Sequence, residues 1–147
     1  PTFPWHMENL RTYITATSDF PQTATWRGAE LKPYGAGAGM RGIPGDCYSP
    51  SRFVKAAYLN ANYPQKDSEA ENVIRMFRSL EGVAMIEGAS KMGDGKFEIT
   101  IYTGCFSART GNYYYAMYGD PSIRYVSLMD AEGASPERLV VPEPRRS

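Results

Sequence analysis

With 42% hydrophobic and 22% charged residues, the 147-residue chain has the composition of a globular protein with one modest core. Its sixteen basic residues balance its sixteen acidic ones, so no global field attracts nucleic acid. No apolar run approaches the roughly twenty residues of a membrane-spanning helix, so we expect neither a membrane nor a nucleic-acid partner.

The N-terminal third of the chain predicts one short helix and a long loop. Apolar side chains recur at three- and four-residue spacing between Trp5 and Thr17, as on an amphipathic helix. The segment 18–45 holds three prolines, and five glycines lie between Gly28 and Gly42, which predicts a loop. A loop of this length inside a compact domain is usually functional.

Three glycines of this loop have the spacing G-x-G-x-x-G, which is typical of dinucleotide sites: Gly37, Gly39 and Gly42. Such a site needs a strand before the first glycine and a helix that opens at the last one. Pro33 disfavours the strand, and a helix cannot run through Pro44 and Gly45. We therefore interpret the glycines as shaping a loop, with no role in phosphate binding.

Two more helices and a sheet are predicted downstream. The ranges 50–62 and 67–80 have apolar faces and are predicted to be helices. Ser49, before Pro50, is the expected N-cap of the first helix. Asp67 or Ser68 is the expected N-cap of the second. Alternating strands are predicted at 97–103, 112–118 and 123–129, with an edge strand at 139–141. This order predicts an α+β fold in which an antiparallel meander carries helices on one face.

The tyrosines at 113–115 could stack on nucleic-acid bases or form a cross-strand aromatic ladder. Since the chain lacks a basic surface, the ladder is favoured. The two cysteines, Cys47 and Cys105, have no metal-ligand spacing, and free thiols are favoured over a disulfide. The only histidine, His6, lies between Trp5 and Met7, which favours a packed polar residue over a catalytic base. We expect no cofactor and no metal.

Three blocks of sequence, in this order and separation, resemble the choloylglycine hydrolase family: PTFPWHMENLRTYI, GAGMRGIPGDCYSPSRFVKAAYL and FEITIYTGCFSARTGNYYYAMY. This family contains the bile salt hydrolases and the penicillin V acylases. The opening Pro-Trp-His resembles the penicillin V acylases of Gram-negative bacteria more than the bile salt hydrolases, which favours a periplasmic location over a cytoplasmic one.

The resemblance implies an N-terminal-nucleophile hydrolase, a single domain with an αββα sandwich, of which residues 1–147 are about the C-terminal half. In that family an N-terminal cysteine attacks a linear amide with its own α-amino group as base, aided by an asparagine, an arginine and an aspartate. The expected partners are a small-molecule amide, the N-terminal half of the same enzyme, and further copies in a homo-oligomer, a tetramer by resemblance. Conjugated bile salts, penicillin V and N-acyl homoserine lactones are the candidate substrates.

Only one family site residue falls on this chain, since Arg52 in Ser51-Arg52-Phe53 matches the catalytic arginine. The cysteine and the oxyanion asparagine are expected upstream of residue 1, so we expect the chain alone to be inactive. A guanidinium in the first turn of a helix would lower the pKa of a nearby thiol. Two alternatives remain: a structural ion pair between Arg52 and Asp46, and a fragment that serves only binding or structure. Asp46 itself is interpreted as a turn or cap residue.

Overall fold

A computed structural model describes residues 1–129 and 135–140 of the chain. It divides the chain into two compact units, Pro1–Asn62 and Tyr63–Ser147. Helices and antiparallel sheets occur together, so the predicted α+β class is confirmed. None of the helices within the described ranges is long and apolar enough to cross a bilayer.

The first unit is built on two helices, α1 (Phe3–Asn9) and α2 (Ser49–Ala61). Thr2 caps α1, because its side-chain oxygen accepts a hydrogen bond from the Trp5 backbone N–H at 3.4 Å. A 3-10 helix at Leu10–Tyr13 continues α1. The helix predicted from Trp5 to Thr17 therefore begins two residues earlier, at Phe3, and changes from α-helical to 3-10 geometry at Leu10. The predicted second helix is confirmed to within one residue, although Tyr48, and not Ser49, is its N-cap.

The predicted loop 18–45 contains a β-hairpin that was not predicted from the sequence. Strands β1 (Ala24–Trp26) and β2 (Ala29–Leu31) pair antiparallel around Arg27 and Gly28, whose φ angles are 49° and 83°. Positive φ at both central residues is the mark of a type I′ hairpin turn, which matches the twist of the strands. Every residue of both strands is exposed, and each strand has only three residues, too few for an alternating pattern to indicate a strand.

The glycines of this loop allow backbone conformations and a close contact that other residues would not. Gly37 and Gly42 have φ angles of 90° and 98°, which L-residues rarely adopt. Gly39 lies so close to Thr17 that an added Cβ would be 2.2 Å from the Thr17 carbonyl oxygen. The first helix after the run begins only at Ser49, so the helix that a dinucleotide site requires at Gly42 is not formed.

The second unit packs one helix on a four-stranded antiparallel sheet. Its elements are α3 (Glu69–Glu81), β3 (Tyr102–Phe106), β4 (Asn112–Met117), β5 (Asp120–Ser127) and β6 (Glu137–Arg138). The strand order β3-β4-β5-β6 is the predicted meander. Val73 and Phe77 from α3 pack on Tyr114 of β4 and form the buried core of the unit. The Ser68 side chain caps α3 by accepting from the Glu71 N–H at 3.1 Å.

The tyrosines form one cross-strand pair of the predicted ladder. Tyr114 lies directly opposite Tyr125, and their ring centroids are 5.5 Å apart. Tyr113 and Tyr115 project from the same strand two residues apart and stack at 6.3 Å. Aromatic side chains therefore line β4 as sheet-stabilising contacts.

Three strand predictions are wrong in their boundaries. The strand predicted at 123–129 is β5, which begins three residues earlier because Asp120 pairs with Met117, and ends at Ser127. The first strand of the sheet begins at Tyr102, not at residue 97, because the earlier residues bond elsewhere. The Glu98 N–H donates to the Ser90 carbonyl at 3.0 Å, and the Thr100 N–H donates to the Met85 carbonyl at 2.9 Å. At the β6 edge of the sheet, the residues that pair with β5 are Glu137 and Arg138. Of the predicted strand 139–141, Leu139 makes a hydrogen bond to the sheet, from its N–H to the Ile123 carbonyl at 2.8 Å. Val141 lies outside the described residues.

Both units leave much apolar surface uncovered. The buried apolar side chains among the described residues are Val54, Val73, Phe77, Met85 and Tyr114. Many other large apolar residues are exposed; for example, Ile14 is 83% exposed and Trp26 is 72% exposed. Strand β3, at the edge of its sheet, also carries two exposed aromatic residues, Tyr102 and Phe106. Both units therefore have uncovered apolar faces.

Candidate active site

Arg52 lies in the first turn of α2. Its backbone N–H donates to the Tyr48 carbonyl at 2.9 Å, which is the hydrogen bond that opens the helix. Its side chain is half-buried. A permanently charged guanidinium at this end of a helix adds to the partial positive charge of the unpaired backbone N–H groups. This geometry favours an anion, such as a thiolate or a developing oxyanion, near the start of α2.

Asp46 shapes the turn that leads into α2. Its Oδ1 accepts a hydrogen bond from the Tyr48 N–H at 2.9 Å, which closes an Asx turn. The hydrogen bond from the Tyr48 backbone, followed by one from the Ser51 side chain, lowers the pKa of Asp46. The interpretation of Asp46 as a turn residue is confirmed.

Aromatic rings hold the residue next to Arg52. The His6 ring stacks on the Phe53 ring with centroids 4.3 Å apart and an interplanar angle of 19°. Phe3 meets Phe53 edge-on at 6.1 Å, and Trp5 meets His6 edge-on at 5.3 Å. Only 9% of His6 is exposed. The interpretation of His6 as a packed residue is confirmed, and this packing ties α1 to the start of α2.

Cys47 and Cys105 are both free thiols, as predicted. Burial, and then the negative charge of Glu69, raise the pKa of the Cys105 thiol, which keeps it protonated and poorly nucleophilic. Within the described ranges, no group of three or more His, Cys, Asp or Glu side chains is placed to hold a metal ion.

A second polar cluster, centred on Glu69, was not anticipated from the sequence. Glu69 Oε1 accepts from the Tyr114 hydroxyl at 2.7 Å and from the Thr110 hydroxyl at 2.7 Å, and Arg109 Nη2 lies 3.1 Å from Oε2. Burial opposes ionisation, but these hydrogen bonds, with one from Ser107, outweigh it and lower the pKa of Glu69 to about 2. The carboxylate thereby fastens the start of α3 to the turn between β3 and β4.

The only sequence signal for this cluster was an acidic residue in the first turn of a predicted helix. Its partners lie about forty residues further along the chain, so pairing them required the tertiary fold. The side chains that donate hydrogen bonds to Glu69 belong to its own unit. We therefore interpret the cluster as stabilising the fold of that unit.

The fold is that of the N-terminal-nucleophile hydrolases. A family model described as "Linear amide C-N hydrolases, choloylglycine hydrolase family" matches residues 1–140. The chain belongs to this family.

Comparisons with known proteins extend this assignment. The chain is 48% identical over 141 residues to a "Bile salt hydrolase/transferase" of Bifidobacterium longum, covering 96% of the chain and 44% of the relative. A solved conjugated bile acid hydrolase from Clostridium perfringens superposes with a TM-score of 0.80 at 28% identity, covering 97% of this chain and 44% of that one. The chain thus spans less than half the length of these relatives.

Over the whole chain the identity to a bile salt hydrolase is 48%, so the closer likeness to penicillin V acylases expected from the opening residues does not extend to the whole chain. The penicillin V acylase of Agrobacterium tumefaciens shares the fold, with a TM-score of 0.63, but only 14% identity, over 88% of this chain and 34% of that one. The expectation rested on Pro4-Trp5-His6, where two of the three side chains serve the packing between α1 and Phe53. The periplasmic location was inferred from the same three residues and stays a prediction.

Proposed function

We propose that the full-length protein is a cysteine amidohydrolase and that residues 1–147 contribute Arg52 to its active site. The cysteine nucleophile, its α-amino group and the oxyanion asparagine would come from polypeptide preceding Pro1. Support comes from the family match over residues 1–140 and from relatives more than twice as long as this chain. The observation that carries the proposal is the half-buried Arg52 in the first turn of α2, within the matched region.

The proposed reaction is acyl transfer in two steps. The cysteine sulfur attacks the amide carbonyl, and its proton passes through the α-amino group to the leaving nitrogen as the C–N bond breaks. Water then attacks the thioester, which releases the carboxylic acid and restores the thiol. Arg52 would stabilise the thiolate before attack and the negative charge that develops on the transition state.

Conjugated bile salts are the favoured substrates. The Bifidobacterium relative and the Clostridium structure are a "Bile salt hydrolase/transferase" and a conjugated bile acid hydrolase. Penicillin V and N-acyl homoserine lactones remain the competing substrates, because all three are linear amides with an apolar acyl group.

The test is turnover by the full-length protein that contains residues 1–147. Glycine- and taurine-conjugated bile salts, penicillin V and an N-acyl homoserine lactone are each incubated with it, and the released acids are quantified by mass spectrometry. Hydrolysis of a bile salt, with an acyl adduct on an N-terminal cysteine in rapidly quenched samples, is expected. Binding of a bile salt without hydrolysis of any of the amides would instead support a non-catalytic binding protein.

We also propose that the uncovered apolar faces and the edge of β3 are covered by the N-terminal half of the same enzyme. An exposed apolar strand edge readily pairs with another chain unless it is covered. Assembly into a homo-oligomer, a tetramer by family resemblance, would cover apolar surface that remains.

A further inference from the structure

We propose that His6 is a positioning residue for Arg52, acting through the stack of its ring on Phe53. The inference rests on the proposed role of Arg52 and adds a residue from α1 to the machinery on α2. It concerns the aromatic surface of His6 and assigns no proton transfer to the imidazole.

The contact geometry is specific to the start of α2, which carries Arg52. Phe53 follows Arg52 directly and begins the second turn of α2, and one face of its ring is covered by His6 at 4.3 Å and 19°. Phe3 closes on the same ring edge-on at 6.1 Å. Val54, the next residue of the turn, is only 1% exposed. The helix start is thus fixed by ring contacts from α1 immediately beside the arginine.

Hydrogen bonding by Nδ1 does not explain the burial of His6. Its Nδ1 is buried and has no hydrogen-bond partner among the described residues. A buried polar atom without a partner opposes folding. The favourable contribution of His6 therefore comes from ring stacking and from exclusion of water, both of which a phenyl ring also provides.

Loss of the ring would act on Arg52 through the backbone. Removing it leaves a void against one face of Phe53, and neighbouring side chains relax into such voids only in part. The first turn of α2 would then shift or become mobile, and Arg52 would move with it. Misplacement of a catalytic group by about 1 Å can cost on the order of a hundredfold in rate.

The experiment compares three variants of the full-length protein: His6→Ala, His6→Phe and, as a stability control in the core of the other unit, Val73→Ala. The readouts are kcat, KM, melting temperature and the crystallographic position and B-factors of the Arg52 side chain. We expect His6→Ala to lower kcat by roughly tenfold to a hundredfold, with KM within about twofold, and to displace the guanidinium. We expect His6→Phe to retain both kcat and the position of Arg52.

Three outcomes would overturn the inference. Equal losses in His6→Phe and His6→Ala would show that the imidazole nitrogens matter. A fall in melting temperature in His6→Ala, with kcat no lower than in Val73→Ala, would show that the stack only stabilises the fold. An unchanged position of Arg52 in the His6→Ala crystal structure would also show that the stack does not position the arginine. If the wild type hydrolyses no amide, the proposed function fails, and the crystallographic comparison still decides the positioning role.

Discussion

Arg52 and Asp46 lie six residues apart, and we expect them to have different tasks. In the full-length protein, Arg52→Ala should reduce turnover at least a hundredfold, on the order of 3 kcal/mol of transition-state stabilisation, with little change in melting temperature. Arg52→Lys should restore little, because an ammonium cannot reproduce the planar fork of donors. Turnover and thermal melting of both variants, measured side by side, check this prediction.

Asp46→Ala is the matched comparison for Arg52→Ala. Asp46 holds the turn through the Tyr48 N–H, so its loss should lower the melting temperature while turnover per folded molecule changes little. Were Arg52→Ala to melt early with near-normal turnover, Arg52 would be a structural ion-pair partner and the catalytic assignment would be wrong.

Glu69 makes the stability of the second unit dependent on acid. Its pKa is about 2 in the folded chain, below the usual value of 4.5, so the folded state binds its proton more weakly than the unfolded state does. The stabilisation is therefore complete above pH 4.5 and is lost as the pH falls towards 2. Only 16% of the side chain is exposed, so we expect about 2 kcal/mol in total.

The variant that tests this is Glu69→Gln, which should lower stability at pH 7 and flatten its pH dependence between about 4.5 and 2. Glu71→Gln is the control, because Glu71 lies in the same first turn of α3 but is exposed. Denaturant unfolding from pH 2 to pH 7 measures the difference. Parallel curves for the two variants would show that the Glu69 hydrogen bonds are not a net source of stability.

Among the structural elements, the glycine loop depends on one close approach. Gly39→Ala would place a Cβ 2.2 Å from the Thr17 carbonyl oxygen, a backbone atom with little freedom to move. We expect a loss of roughly 1–3 kcal/mol and a displaced loop. Gly45→Ala is the control, since an added Cβ there meets nothing within 4 Å. Equal melting temperatures for the two variants would contradict this account.

The predictability of the elements follows from where their signals lie. Helices α2 and α3 and strand β4 were predicted nearly to the residue, because caps, proline position and apolar spacing are local in sequence. The hairpin β1–β2 was missed because each of its strands has only three residues, too few for an alternating pattern to be recognised. The start of the sheet was misplaced because residues 97–100 alternate like a strand but bond to the segment 85–90.

The candidate site was less predictable than the fold. Arg52 was found through resemblance, since an arginine in the first turn of a helix is not distinctive by itself. The His6–Phe53 stack joins residues 47 positions apart and has no sequence signature. The Glu69 cluster likewise depends on partners in the turn between β3 and β4. Contacts that join distant segments require the fold before they can be recognised.

For the whole molecule, the small buried core and the exposed apolar residues predict that residues 1–147 depend on association. Because few apolar side chains of the two units are buried within the described ranges, we expect hydrophobic burial to contribute little to the stability of the isolated chain. Expressed alone, the chain should self-associate or bind a hydrophobic dye and melt without a sharp transition. The full-length protein should melt cooperatively as an oligomer.

Light scattering coupled to size-exclusion chromatography, together with calorimetry of both proteins, makes the comparison. Mixing the separately produced N-terminal half with residues 1–147 should restore a cooperative transition and, with an intact N-terminal cysteine, amide turnover. The Arg52→Ala chain should restore the transition without the turnover, which separates assembly from catalysis. A monodisperse 147-residue monomer at low concentration with one cooperative transition would contradict the prediction, because the exposed apolar faces would then need no cover.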